Sequence, residues 1–367
     1  MIIGVPKEIK NHEYRVGLTP ASVKELVLHG NEVLVETQAG CGIGCSDDVY
    51  HQAGAVIESS AASVFQKADL IVKVKEPLEP EFGLIRANQT LFTFLHLAPD
   101  PKQADALVKS GCTAIAYETV TDHFGGHPLL APMSEVAGKM SIQVGAHFLE
   151  KAHGGCGALL GGTSSVLPSR VVIIGGGVAG SSAARVALGM GATVTLFDNN
   201  TKRLFELNHL FQGRLKTLYP THDSIQEAIS QAHVVVGAVL VGGDKAPKVI
   251  TREMLKKMRK RSVLVDISID QGGCFETSRP TSHQDPIYVE EDIIHYCVTN
   301  MPGAVPHTSA FALNSATLPH VLKMTKWGVE EALRQDVHLK NGLNVYKGKI
   351  THKAVAVALN RDFVEFS

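Results

Sequence analysis

Along the first third of the chain, short aliphatic and β-branched runs alternate with segments of helical spacing. MIIGVP, NEVLVET, DLIVKVK, TLFTFLHLA and CTAIAYETV read as strands. ASVKELVLHG starts after Thr19-Pro20 and stops at Gly30, as a helix should. DDVYHQAG, AASVFQKA and PKQADALVKSG carry the same spacing. Strands alternating with helices predict βαβ units and a mainly parallel sheet.

The pattern changes after Pro132. SEVAGKMSIQVGAHFLEKA predicts a long helix capped by Ser134, and the glycine-rich GGCGALLGGTSS after it reads as a hairpin or linker. It lacks the Lys-Ser/Thr of a P-loop. A second alternation then begins: RVVIIG as strand, VAGSSAARVALGMG as helix, ATVTLFD as strand, then HVVVGAVLV and SVLVDISID as two more strands. A helical region from Ser309 to Arg334 leads to a short tail. The expected fold is α/β, with two doubly wound Rossmann-like domains. Residues 132–304 would form a dinucleotide-binding domain inserted into a substrate domain built from 1–131 and 305–367.

Composition narrows the function classes. The 367 residues carry 35 basic and 36 acidic side chains, a net charge of −1. That balance argues against a nucleic-acid partner, which needs a basic footprint. No apolar stretch reaches membrane-spanning length and MIIGVPKEIK has no signal-peptide pattern, so a cytoplasmic protein is expected. The six cysteines are scattered, with no second pair to complete a zinc site beside Cys41 and Cys45.

The strongest motif is Gly175-Gly176-Gly177-Val178-Ala179-Gly180. It follows the strand VVII, opens a helix, and precedes a strand ending in Asp198. This is the order of the dinucleotide fingerprint. Gly175 makes the tight turn, Gly177 admits the pyrophosphate, and Gly180 lets helix and strand pack closely. A carboxylate at Asp198 suits the ribose hydroxyls of NAD and repels the 2′-phosphate of NADP. Lys202 and Arg203 stand nearby and could pair with a phosphate or form a solvated helix face.

Ligands of parallel sheets gather at the carboxyl ends of strands. His96 ends TLFTFLH, Lys75 ends LIVKVK on one face with Lys73, Asp270 ends SVLVDISID, and Arg15 lies in the loop after the first strand. Each could be an ordinary surface or capping residue. Together they suit a small amino acid or oxoacid: a guanidinium for the carboxylate, a donor for the carbonyl, and groups that move protons.

At these residues the chain resembles the alanine dehydrogenase and transhydrogenase NAD-binding family. PKEIKNHEYRVGLTP, LFTFLHLAPD, PLLAPMSEVAGKMSIQVGA, VLVDISIDQGGCFETSRPT and YCVTNMPGAVPHTSAFALNSAT carry the likeness. The resemblance implies NAD-dependent conversion of L-alanine to pyruvate and ammonium by a homo-oligomer, usually a hexamer. It implies catalysis by His96 and Asp270, with substrate held by Arg15 and Lys75. Ser134, Val178, Ala179, Asp198, Arg203, Val239, Leu240, Ile267, Ser268, Ile269, Arg279, Val298, Asn300 and Met301 fall at cofactor-contacting positions. Two residues depart from the pattern. Trp327 stands where some members place a histidine that ligates magnesium with the glutamate matched by Glu118, so no metal is expected. Pro220 replaces a serine near the adenosine. A noncatalytic NAD(H)-binding subunit and a dehydrogenase for another small amino acid are the rival readings.

Overall fold

The computed structural model describes residues 1–239 and 246–366. Strands β1 (Ile2–Val5), β2 (Glu32–Glu36), β3 (Val56–Glu58), β4 (Leu70–Val72), β5 (Thr90–Thr93) and β6 (Thr113–Ala116) come first along the chain. Next come β7 (Arg170–Ile174), β8 (Thr193–Phe197), β9 (Lys216–Leu218), β10 (Val234–Gly237), β11 (Val263–Asp266), β12 (Ile287–Glu290) and β13 (Ile293–Tyr296). The described chain closes with β14 (Leu343–Tyr346) and β15 (Lys349–Ile350).

The chain divides into two compact units: Met1–Met133 with Gly303–Ser367, and Ser134–Pro302. In the first, the sheet order is β15-β14-β6-β5-β4-β1-β2-β3. Strands β1 to β6 are parallel, whereas β14 joins β6 antiparallel and β15 pairs antiparallel with β14. In the second, the order is β12-β13-β11-β10-β7-β8-β9, parallel except for β12. Each sheet reverses its winding once, at β1/β4 and at β7/β10. That point is where doubly wound sheets open a crevice beyond their strand ends. The central strands β4, β5, β6, β10 and β11 are buried throughout, as strands covered on both faces must be.

Several sequence expectations need correction. Ser134 does not cap its helix, which begins at Ala131. Pro132 occupies the first turn, where its missing N–H costs nothing. The strand expected over SVLVDISID stops at Asp266, whose carboxylate accepts the Ser268 N–H at 3.0 Å and caps a 3₁₀ turn, Ile267–Gln271. The helical region after Ser309 is two helices, Pro306–Trp327 and Val329–Gln335, broken at Gly328 with φ +81°. The presumed tail supplies β14 and β15. Lys73 and Lys75 do not share a strand face, because β4 ends at Val72.

Candidate active site

In the first unit, neighbouring strands β1, β4, β5 and β6 deliver Arg15, Lys75, His96 and Glu118 in the loops and turn that follow them. The loop bearing Arg15 is held on both sides. A Cβ on Gly17 would lie 2.1 Å from Val72 O, so only glycine lets the loop lie against the end of β4. The buried Asn314 accepts the Thr19 N–H at 2.7 Å and donates to Gly17 O at 3.1 Å. Thus a helix from the C-terminal segment fixes a loop near the N-terminus.

Arg15 is almost fully buried and pairs side-on with Glu13, Nε to Oε1 at 2.6 Å and Nη2 to Oε2 at 2.5 Å. Burial would raise the Glu13 pKa. Hydrogen bonds and charge from Arg15, with Lys75 assisting, reverse that and hold it at about 2. Nη1 of Arg15 reaches Met133 Sδ at 3.0 Å. A guanidinium has five N–H donors, and Glu13 engages its Nε edge.

The Lys75 pKa is lowered, first by burial and then by the Arg15 charge, which places the two cations close together. Its position is set by a buried ion cluster. Lys73 lies inside, 2.7 Å from Glu81 and 3.5 Å from Glu8. Glu8 also accepts the N–H groups of Val74 at 2.7 Å and Lys75 at 3.3 Å. Lys73 is therefore a buried positioning residue rather than a solvated neighbour of Lys75.

His96 lies three residues beyond β5 and its imidazole is half exposed. Its φ is +49°, a left-handed conformation that costs a non-glycine residue about 1–3 kcal/mol. Glu118 stabilises it, accepting the His96 N–H at 2.7 Å and the Leu95 N–H at 3.2 Å. The same carboxylate lies 3.9 Å from His96 Nδ1, and Phe94 stacks parallel to the ring at 5.8 Å. Thr93 Oγ1 donates to Lys75 O at 2.8 Å and ties the loops of Lys75 and His96 together. Glu118 thus acts through His96, while Trp327 ends its helix 40% exposed.

The second unit carries the dinucleotide fingerprint. Gly175 has φ +104°, and a Cβ there would meet Ala238 O at 2.4 Å. A Cβ on Gly180 would lie 1.8 Å from Gly175 O, whereas one on Gly177 would meet nothing. Two glycines therefore shape the turn, and the third leaves open backbone at the start of the helix Val178–Gly189. A cavity of about 430 Å³ adjoins it, lined by Gly177, Asp198, Asn199, Asn200, Lys202, Arg203 and Glu206. Asp198 accepts the Gly176 N–H at 2.6 Å and the Asn200 N–H at 2.8 Å. Arg203 donates from Nε to Gly176 O at 2.7 Å and pairs with Glu206 at 3.1 Å. It is thus bound into the loop and its charge is offset. The glycine cradle and the carboxylate in this cavity fit NAD.

The other positions expected to contact the cofactor are dispersed through the second unit. Val178 is exposed and Ala179 half-buried at the helix start. Val239 is half-buried, its carbonyl accepting from Ser268 Oγ at 2.7 Å. Leu240 lies outside the described residues. Ile267 is half-buried and Ile269 buried, while Asp270 is exposed in the same 3₁₀ turn. Arg279 is exposed, with its guanidinium 4.0 Å above the Tyr288 ring. Ser134 and Asn300 are half-buried, the latter at φ +58°. Met301 is buried and the Val298 side chain is completely enclosed, so Val298 presents no side-chain surface to a ligand.

Sequence reasoning missed Asp266. This fully buried carboxylate accepts from Ser268 N, Cys274 N at 3.0 Å and Ser278 Oγ at 2.5 Å. Burial raises its pKa against those bonds. It closes the turn that carries Asp270. An aspartate at the last residue of a buried strand, followed by Ser268, was the available signal.

Two doubly wound units, one with a glycine cradle beside the Asp198 carboxylate and the other with Arg15, Lys75 and His96 in neighbouring loops, define the class of a dinucleotide-dependent oxidoreductase. The N-terminal domain of the alanine dehydrogenase/PNT family matches residues 4–137, and its C-terminal domain matches residues 141–353. The chain belongs to this family. It is 54% identical over 365 residues to an alanine dehydrogenase of Halomonas elongata, covering 100% of this chain and 98% of that one. An alanine dehydrogenase of Mycolicibacterium smegmatis is 51% identical with the same coverage. A solved L-alanine dehydrogenase superposes with a TM-score of 0.95 at 49% identity, covering 98% of this chain and 99% of the other. A Sinorhizobium meliloti transhydrogenase shares the fold at 23% identity and a TM-score of 0.84 over 96% of this chain and 100% of that one.

Proposed function

We propose that this chain is an alanine dehydrogenase, oxidising L-alanine with NAD⁺ and water to pyruvate, ammonium and NADH. The observation that carries the reading is the set Arg15, Lys75 and His96 in the loops that follow neighbouring strands β1, β4 and β5, in a chain half identical to alanine dehydrogenases from end to end. Bound NAD⁺ supplies the acceptor for the hydride that leaves the α-carbon. Arg15 takes the substrate carboxylate, its guanidinium oriented by the side-on pair with Glu13. Lys75, its proton loosened by burial and by Arg15, donates to the developing carbonyl oxygen. His96 moves protons as water adds to iminopyruvate and ammonia leaves, and Asp270 serves as second acid/base. Val178, Ala179, Val239, Ser268 and Asn300 belong to the dinucleotide surface of the second unit.

A noncatalytic NAD(H)-binding subunit would have no use for a desolvated lysine in a loop tied to that of a strained histidine. No described helix is long and apolar enough to cross a membrane. The protein works in the cytoplasm as a homohexamer; exposed Leu159, Val166 and Leu167 on one loop suit a subunit contact. Light scattering after gel filtration checks the assembly. The activity is tested with a panel of small amino acids and both NAD⁺ and NADP⁺. The expected outcome is preference for L-alanine and NAD⁺, with one pyruvate per NADH. Preference for another amino acid would reassign the substrate.

A further inference from the structure

We propose that His147, Glu150 and His153, in the second unit and apart from the proposed chemistry, form a surface site for a borderline divalent cation such as zinc. One ligand atom from each lies within 4.8 Å of the others. The backbone builds this cluster. The helix Ala131–Phe148 ends just beyond His147, and a 3₁₀ turn, Lys151–His153, folds back over its end. Gly154 closes the turn at φ +85°. A Cβ on Gly155 would lie 2.2 Å from Phe148 O, so this close return requires glycine. The His147 and His153 rings consequently lie 3.8 Å apart between centroids. His153 Nδ1 is 3.3 Å from His147 O and 3.5 Å from Glu150 Oε2. A backbone carbonyl on one ring nitrogen is the arrangement that orients a metal-binding imidazole and presents Nε2. The C-terminal end of the helix adds a negative potential that favours a cation.

The donor set selects the ion. Two imidazoles and one carboxylate suit zinc, nickel or copper(II), whereas magnesium and calcium prefer oxygen ligands throughout. Three protein ligands leave a coordination position for water. Tetrahedral ligands stand closer together than 4.8 Å, and the exposed His147 and Glu150 side chains can close that gap by rotation. A bound ion would fasten the 3₁₀ turn to the end of the long helix, and Cys156 N, which donates to Arg261 O at 3.0 Å, links that turn to the approach to β11. The test is zinc titration of the untagged full-length protein by calorimetry, beside H147A, H153A and the double variant H147A/H153A. We expect one zinc per chain in the wild type that the double variant lacks, at least a tenfold loss of affinity in each single variant, and a zinc-dependent rise in Tm confined to the wild type. Copper(II) resonance spectra should show nitrogen coupling that disappears in the double variant. Equal zinc stoichiometry and affinity in wild type and double variant would overturn the proposal, as would a zinc-dependent Tm rise in both.

Discussion

Glu13 offers a quantitative test of how Arg15 is prepared. Replacing Glu13 by Gln keeps the shape of the side chain but removes the charge that faces the buried guanidinium. A carboxyl held at about 2 rather than 4.5 represents about 3 kcal/mol of preference for its ionised form. Removing one partner of a buried pair costs a similar amount, about 3–5 kcal/mol, because the other charge stays desolvated. In a unit of this size, about 3 kcal/mol corresponds to a Tm lower by roughly 6–12 °C. The pH dependence has a definite sign. The folded state depresses the pKa, so the Glu13 contribution is complete above pH 4.5 and declines as pH falls toward 2. Calorimetry of wild type and E13Q at pH 7 and in acid should therefore show a Tm gap that narrows in acid. The KM for alanine should rise about tenfold, as expected for about 1.4 kcal/mol of lost positioning, while NADH affinity stays unchanged. Equal Tm values at pH 7 together with an unchanged KM would refute the reasoning.

Other perturbations separate the two units. His96→Ala should lower kcat by about 10²–10⁴-fold while fluorescence titration returns wild-type NADH affinity. Gly180→Ala forces a Cβ against Gly175 O, so NADH binding should fall below detection, with a lower Tm for the second unit. Asp198→Ala frees the Gly176 and Asn200 N–H groups and leaves Arg203 in the cavity without that carboxylate. NAD⁺ should lose at least tenfold in kcat/KM, and the NADP⁺ to NAD⁺ ratio of kcat/KM should rise.

The α/β alternation and the dinucleotide turn were legible because they depend on local pattern. VVII, three glycines and Asp198 specify a strand, a turn and a carboxylate within one βαβ unit. The candidate residues were placed at strand ends, yet Lys75, His96 and Asp270 lie three or four residues beyond their strands. Apolar runs do not reveal where pairing stops and a buried carboxylate takes over the backbone. Glu8, Glu118 and Asp266 each perform that task, and their partners are set by tertiary packing. Asn314 is the extreme case, since it holds Gly17 and Thr19 from 297 and 295 residues away. The antiparallel strand β14 escaped notice for a related reason: LNVY is too short to announce itself without its partner β6.

The most direct test uses L-alanine deuterated at the α-carbon, with NAD⁺, followed by mass spectrometry of the reduced cofactor and assay of pyruvate. The account predicts one deuterium in each NADH formed and one pyruvate alongside it, with rates collapsing together in His96→Ala. Unlabelled NADH, or bound NAD⁺ that is never reduced in the presence of alanine, would contradict it.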